Sequence, residues 1–332
     1  MRARLHGAAR WALYECPGLR RLGRGLRPRA LVLAYHRVAD TAFDPYGQAV
    51  TPATFARQLA LLRRDYHVLP LDELLRRLER RDYRDRTVAV TFDDGYLDSL
   101  TAAQPIAREQ GVPITIFVAA QPVLSGGLFW WDALALAARA ACAGAALDLP
   151  LGCGRRITLA ASADADAVRR QLHRLVKRLG PAARQQLADA LSAWARGVAG
   201  AAEVGRPMTP AELCRCAGLP GVTIGAHTLT HPALAQLPRA EQLHELVAGR
   251  RVLAELLGRP VDLLAYPFGK PADVSPATRA LAARAGYRAG LTTSHGTLVP
   301  GTDRFAVPRL TVHEWTDDLF AARVGALFGE AR

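Results

Sequence analysis

Residues 87–96 read Thr-Val-Ala-Val-Thr-Phe-Asp-Asp-Gly-Tyr. The first six are β-branched or aromatic apart from one alanine, and they predict a strand. That strand ends on two adjacent carboxylates, Asp93 and Asp94, and Gly95 then releases the backbone. Successive side chains leave a strand in opposite directions. The two aspartates can therefore address different targets, one a metal and the other a water. Taken alone, the same residues also fit a turn with two solvated carboxylates.

On both sides, short β-rich runs alternate with helical patterns, which argues for parallel strands joined by crossover helices. Leu31–Tyr35 reads as a buried strand. Thr51 and Pro52 read as an N-cap and first helical position, with Phe55, Leu59 and Leu62 at helical spacing behind them. Leu71–Arg80 is a second predicted helix. A third runs from Leu97 to Gln110 and is closed by Gly111, and Ile114–Val118 is the next strand. Residues 125–220 break this rhythm. They are rich in Ala, Arg and Leu, helical in pattern, and carry one strand signal at Arg155–Leu159. The alternation resumes with a strand at Val222–Ala226, a long helix over Arg239–Leu257 and a strand at Leu263–Tyr266. A helix capped by Ser275–Pro276 and late strands at Tyr287–Thr292 and Phe305–Leu310 follow. The expected fold class is α/β: a distorted (β/α)7-type barrel over 31–124 and 221–332, a helical insertion over 125–220 and a basic arm over 1–30.

The chain of 332 residues is 50% hydrophobic and 22% charged, which excludes a disordered chain. Its net charge is +13, and the first 30 residues hold eight arginines against one acid, Glu15. More than half of the excess therefore belongs to one end. An arm with Trp11, Leu13 and Tyr14 among arginines suits peripheral contact with an anionic inner leaflet; a simple solvated arm is the plainer reading. Aromatic–basic interleaving and known motifs for nucleic acid are absent, so no nucleic-acid partner is expected. No signal-peptide pattern is read at the start, and no apolar run reaches the ~18–20 residues of a membrane span. The five cysteines, Cys16, Cys142, Cys153, Cys214 and Cys216, are odd in number and lack paired spacing. They read as packing or surface thiols rather than a disulfide framework, which suits a reducing compartment. The expected location is cytoplasmic, peripheral on the inner membrane.

His227-Thr-Leu-Thr-His231-Pro232 follows the strand Val222–Ala226. Four-residue spacing lets both imidazoles meet one ion, and Pro232 disfavours α geometry at His231, which places the pair on a loop. Two imidazoles and a carboxylate make a three-point site with open positions, suited to zinc or another divalent transition metal. In a parallel barrel the aspartate pair and the histidine pair share the C-terminal rim, where active sites sit. His36 and Pro267 follow strands onto that rim too. Gly126-Gly-Leu-Phe-Trp-Trp131-Asp132 opens the irregular segment. Its aromatic rings suit either stacking on sugars or docking of the following helix.

With TFDDGY, GAHTLTHP and YPFG in that order, the chain resembles the polysaccharide deacetylases, the NodB-homology group or carbohydrate esterase family 4, over about 31–124 and 208–315. The resemblance implies a NodB-homology barrel and a hydrolase that removes N-acetyl groups from the amino sugars of a polysaccharide or glycan precursor. It implies a divalent metal, Zn2+ foremost, with Co2+, Ni2+ or Fe2+ as alternatives. Asp93 matches the family's general base, and Asp94, His227 and His231 match its metal ligands. Tyr266, Pro267, Phe268 and Gly269 match a motif whose backbone helps hold the developing oxyanion. Tyr96 and Trp131 are expected beside the substrate.

The chain departs from the family twice. Leu264 and Ala265 stand where an arginine usually precedes the third motif to orient the base, and no late Leu-x-x-His supplies the acid; His295 and His313 do not fit that pattern. A circularly permuted branch, which includes poly-N-acetylglucosamine deacetylases, takes its acid from an early strand ending in Tyr-His, and Tyr35–His36 is similar to it. His36 is therefore the expected acid, with a packed structural histidine as the plainer reading. Arg309, in Val-Pro-Arg309-Leu, is the expected substitute for the missing arginine, with Arg37 next. An O-acetyl esterase or a small-amide amidohydrolase fits the same scaffold. A catalytically silent glycan- or membrane-surface-binding module is the alternative of another class.

Overall fold

The computed structural model describes residues 30–80, 82, 86–142, 147–152, 155–159, 164–177, 179–195 and 205–329. The basic arm before residue 30, the membrane contact read into it, and Cys16 and Cys153 lie outside the described residues. The strands in chain order are β1 (Ala30–Tyr35), β2 (Arg37–Val38), β3 (Ala49–Val50), β4 (His67–Val68), β5 (Thr87–Phe92) and β6 (Ile114–Val118). They continue with β7 (Leu147–Gly152), β8 (Arg155–Leu159), β9 (Val222–Ala226), β10 (Leu263–Ala265), β11 (Ala289–Leu291) and β12 (Leu310–Thr311). Eight of them form one sheet in the order β11-β10-β9-β6-β5-β1-β12, with β4 beside β5. Every pairing within it is parallel. Helices cross between the strands, as parallel connections require.

The two edges of this sheet meet through one stretch of chain. Val307 bridges Leu291 of β11 in parallel fashion, and three residues later β12 pairs with β1. The sequence predicted a continuous strand over Phe305–Leu310. Pro308 has no N–H to give a ladder, so the strand breaks into a bridge and a short β12. The fold is thus an α/β barrel of the expected kind, closed by an irregular last stave.

Strands β1, β5 and β6 are buried at every position, which explains their near-continuous apolar sequence. Helix Pro52–Asp65 docks on them. Its Phe55 meets Tyr35 at 5.1 Å and Phe92 at 5.6 Å between ring centroids, and Gln58 accepts the Tyr35 hydroxyl at 3.0 Å. Thr51 caps this helix through its side chain, with Pro at the first position. The predicted helix over 97–110 is interrupted. Residues Ser99–Ala103 form a π turn before Gln104–Glu109 continues as α-helix. Pro105 removes one N–H from the i→i−4 ladder, and the wider turn absorbs the loss.

Between β6 and β9 the chain is mainly helical, with helices Ala120–Ser125, Trp130–Cys142, Ala165–Lys177, Pro181–Ala195 and Pro210–Ala217. It also carries an antiparallel hairpin, β7 with β8. Only β8 was readable in the sequence. Its partner, Leu-Asp-Leu-Pro-Leu-Gly, contains Pro150 at a register shift, and a proline inside a run argues against a strand. Among the described residues no helix is long and apolar enough to cross a membrane. Cys216 is buried and Cys214 exposed, both free.

Candidate active site

Parallel register brings the strand ends level. Tyr35 pairs with Phe92, Val118 with Ala226, Ala226's strand with Leu264, and Ala265 with Leu291. The next residues are His36, Asp93, His227 and Tyr266, so the C-terminal rim collects the polar groups. The loops there are bent in a particular way. Among the described residues five non-glycines have positive φ, and four lie in the three motifs: Asp94, Thr228, His231 and Phe268. Each such residue costs of order ~1–3 kcal/mol and persists only where its surroundings over-determine it.

Asp93 is the most tightly held side chain. Its N–H donates to Tyr35 O at 3.0 Å. Arg309 donates to both of its oxygens, Nη1 to Oδ1 and Nη2 to Oδ2, each at 2.7 Å. Arg309 also donates from Nη1 to Thr91 Oγ1 at 3.2 Å and from Nε to Thr292 O at 3.0 Å, and it is 0% exposed. Burial alone would push the Asp93 carboxyl up. The Arg309 guanidinium more than offsets this and holds it well below the usual carboxylate range. Arg37, the other arginine considered, pairs instead with Asp98 at 2.9 Å and lies over the Tyr96 ring. Arg309→Met would leave a buried carboxylate unpaired, so a loss of about 3–5 kcal/mol in unfolding free energy is expected by chemical denaturation. Arg309→Lys should lose less, since it keeps the charge but not the bidentate fork.

Asp94 turns the other way. Its Oδ1 lies 3.5 Å from His227 Nε2 and 3.4 Å from His231 Nε2. The three side chains are buried, and their ligand atoms all fall within 4.8 Å of one another. His227 Nδ1 donates to Ala265 O at 2.7 Å, which fixes the tautomer and turns the Nε2 lone pair towards Asp94. Burial lowers His227 to about 4 and His231 to about 3, so both are neutral near pH 7 and able to ligate. Two neutral imidazoles and a carboxylate, converging on one point, fit a divalent cation.

His36 is 9% exposed, and its Nδ1 has no partner among the described residues. Burial lowers its pKa, while the charges of Asp94 and Asp93 pull it back up, so it lies within electrostatic reach of both. The two late histidines are placed differently. His295 is exposed, and His313 donates from Nδ1 to Gly47 O at 2.6 Å.

The third motif is pinned by the strand beside it. Thr293 N–H donates to Gly269 O at 3.0 Å and Thr293 Oγ1 to Phe268 O at 2.6 Å. Gly269 has φ +64, and a Cβ there would stand 2.6 Å from Thr293 N, so only glycine fits. Gly269 N–H donates to Pro267 O, and Pro267 itself is buried and has no N–H. The Phe268 N–H has no acceptor among the described residues and is the donor this turn offers.

Three residues expected at the substrate have their polar ends bonded inside the protein. Tyr266 is buried and donates its hydroxyl to Phe305 O at 3.2 Å. Trp131 Nε1 donates to the Tyr96 hydroxyl at 2.8 Å, and that hydroxyl donates to Asp132 Oδ2 at 2.7 Å. All three polar ends are satisfied inside the protein. Phe129, Trp130 and Trp131 are buried, with Trp131 stacked on Phe129 and edge-on to Trp130, so this aromatic run docks its helix. Trp131 still reaches the rim, with its ring 4.2 Å from that of His231.

Sequence reading missed one wall altogether. Helix Ala165–Lys177 lays Arg169, His173 and Lys177 along the rim. Arg169 sits over Tyr46, the His173 ring is 5.6 Å from Phe268, and Lys177 Nζ is 4.1 Å above the Phe268 ring and 2.6 Å from Asp273. Burial, with Lys177 nearby, lowers His173 to about 4. The only sequence signal is the four-residue spacing, which reads equally as the solvated side of a surface helix.

The family model for polysaccharide deacetylase matches residues 198–290, the stretch that carries the His227/His231 loop and the Tyr266–Gly269 turn. Over that stretch the chain is similar to the polysaccharide deacetylases. Solved deacetylases share its fold. IcaB from Ammonifex degensii is 19% identical with a TM-score of 0.58, over 91% of this chain and 98% of that one. The Streptococcus pyogenes deacetylase PplD, solved in complex with acetate, is 18% identical with a TM-score of 0.55, over 86% and 93%. A de-N-acetylase from Aggregatibacter actinomycetemcomitans is 14% identical with a TM-score of 0.57, over 89% and 99%. At these identities the likeness is one of fold. No curated protein sequence matches this chain.

Proposed function

We propose that this protein is a polysaccharide deacetylase that hydrolyses the N-acetyl groups of amino sugars in a glycan, giving acetate and a free amine. The observation that carries the reading is the juxtaposition of an arginine-clamped aspartate, Asp93, with the Asp94, His227 and His231 cluster on one rim. The match to the polysaccharide deacetylase model and the deacetylase activity of structural neighbours support it.

Asp94, His227 and His231 would hold the metal. A divalent cation bound there supplies Lewis acidity to the acetyl carbonyl and lowers the pKa of a water. Zn2+ suits two imidazoles and a carboxylate, as do Co2+, Ni2+ and Fe2+. Asp93 is kept ionised by Arg309 and stands ready to orient and take the proton of the attacking water. The free Phe268 N–H would meet the negative charge that develops on the acetyl oxygen. His36 is neutral in the resting site because it is buried. Negative charge growing beside it raises its proton affinity, so it can take up the proton that Asp93 draws from the water and pass it to the departing amine. Base and acid are thus kept apart by environment, one beside a guanidinium and the other in a buried pocket.

An amide differs from an ester at this step, because an amine leaves only once protonated while an alkoxide is the better leaving group. His36→Ala is therefore expected to lower kcat on an N-acetylated oligosaccharide by ~10²–10⁴-fold, and to harm hydrolysis of an O-acetyl substrate less. Acetate release from both substrates is the measurement. An unchanged kcat on the amide would move the acid role off His36.

A further inference from the structure

The loop that carries His227 and His231 is gripped from two sides. On one side, helix Arg239–Leu257 packs so closely that a Cβ on Gly249 would stand 2.6 Å from the Thr228 carbonyl carbon and 2.7 Å from Leu229 N. From the same helix, the buried Glu245 accepts the N–H of Leu229 at 3.1 Å, the N–H of Thr230 at 2.8 Å and the Thr230 hydroxyl at 2.6 Å. On the other side, Arg184 arrives from helix Pro181–Ala195, in the segment between β6 and β9. Its Nη1 donates to Thr230 Oγ1 at 3.3 Å and its Nη2 to Leu179 O at 2.6 Å. Thr230 is therefore the joint: its hydroxyl gives a proton to Glu245 and a lone pair to Arg184.

Two features say that this arrangement acts on the metal loop. Arg184 is 1% exposed, and among the described residues its Nε has no partner and its guanidinium meets no carboxylate by hydrogen bond. The charges of Glu245 and Glu241 act on it only from a distance. Such a buried cation contributes little to stability by itself. The second feature is an asymmetry between the two histidines. His227 is oriented through Nδ1 by Ala265 O, as metal-bound histidines generally are. The His231 Nδ1 has no acceptor among the described residues. Its ring is steered by its backbone, at φ +59, and by the rings of Trp131 and Phe268.

We infer that Arg184 is a positioning residue for the metal loop: acting through Thr230 Oγ1, it fixes the backbone of residues 228–231 and so aims the His231 imidazole. The segment between β6 and β9 is then a working part of the metal centre. This rests on the reading of Asp94, His227 and His231 as metal ligands.

The test uses Co2+ as probe on the full chain, with the dissociation constant measured by chelator competition and the visible absorption spectrum recorded. Arg184→Met and Thr230→Val should each weaken Co2+ binding ~10–100-fold and alter the spectrum, while Arg184→Lys, which keeps a donor to Thr230, should bind close to wild type. Denaturation midpoints of the metal-free proteins separate this from loss of folding, and if Arg184→Met does not fold, Thr230→Val decides. Wild-type affinity and spectrum in the altered, folded variants would overturn the inference while leaving the metal reading intact. A wild-type protein that takes up no Co2+ would overturn both.

Discussion

Asp93→Asn is expected to lose ~10²–10⁴-fold in acetate release while still binding metal. Asparagine keeps the shape of the side chain and one oxygen for Arg309, but it has no basic site for the proton of the attacking water. The proposed metal donors come from Asp94, His227 and His231, none of them from Asp93, so Co2+ affinity should stay near that of the wild type. The substitution also leaves the buried Arg309 short of a counter-charge, and some stability will be lost. The diagnostic result is the pairing of dead turnover with intact metal binding. Near-normal turnover in this variant would remove Asp93 from the role of base.

The second large effect is on the metal itself. His231→Ala removes one of three protein ligands, and Asp94→Asn removes the charged one. Each should weaken Co2+ or Zn2+ binding by more than the ~10–100-fold typical of losing an outer hydrogen-bond partner, and acetate release should fall with it. A thermal readout gives the same answer without substrate. Metal at about 100 times its dissociation constant stabilises a protein by ~2.7 kcal/mol, so the wild type should gain a higher Tm on metal addition and the ligand variants should gain little. Equal shifts in wild type and variants would place the metal elsewhere.

Much of this site could be read from the chain alone, because strand ends advertise themselves. TVAVTF and LVLAY are continuous apolar runs, and whatever follows such a run in a parallel barrel falls on the rim. Asp93, Asp94, His227 and His231 were readable for that reason, and the structure brings them together. The Arg309–Asp93 pair was harder, since the partners stand 216 residues apart, and local patterning cannot choose between Arg309 and Arg37. Burial of aromatic groups was the least readable property. Tyr96, Trp131 and Tyr266 were expected at the substrate, and nothing in the sequence told that each hydroxyl or indole N–H has an internal partner. The same blindness hid Arg184. On a helix rich in Ala and Gln an arginine reads as solvated, and only packing against the loop at Thr230 turns it inward.

The central claim is tested most directly by incubating the protein with an N-acetylated amino-sugar oligosaccharide and measuring released acetate and free amine together. Metal-loaded protein should yield the two in equal amounts, and chelated protein should yield neither until metal is restored. Full-rate acetate release from the chelated protein, or an intact amide beside hydrolysed O-acetyl groups, would contradict the account.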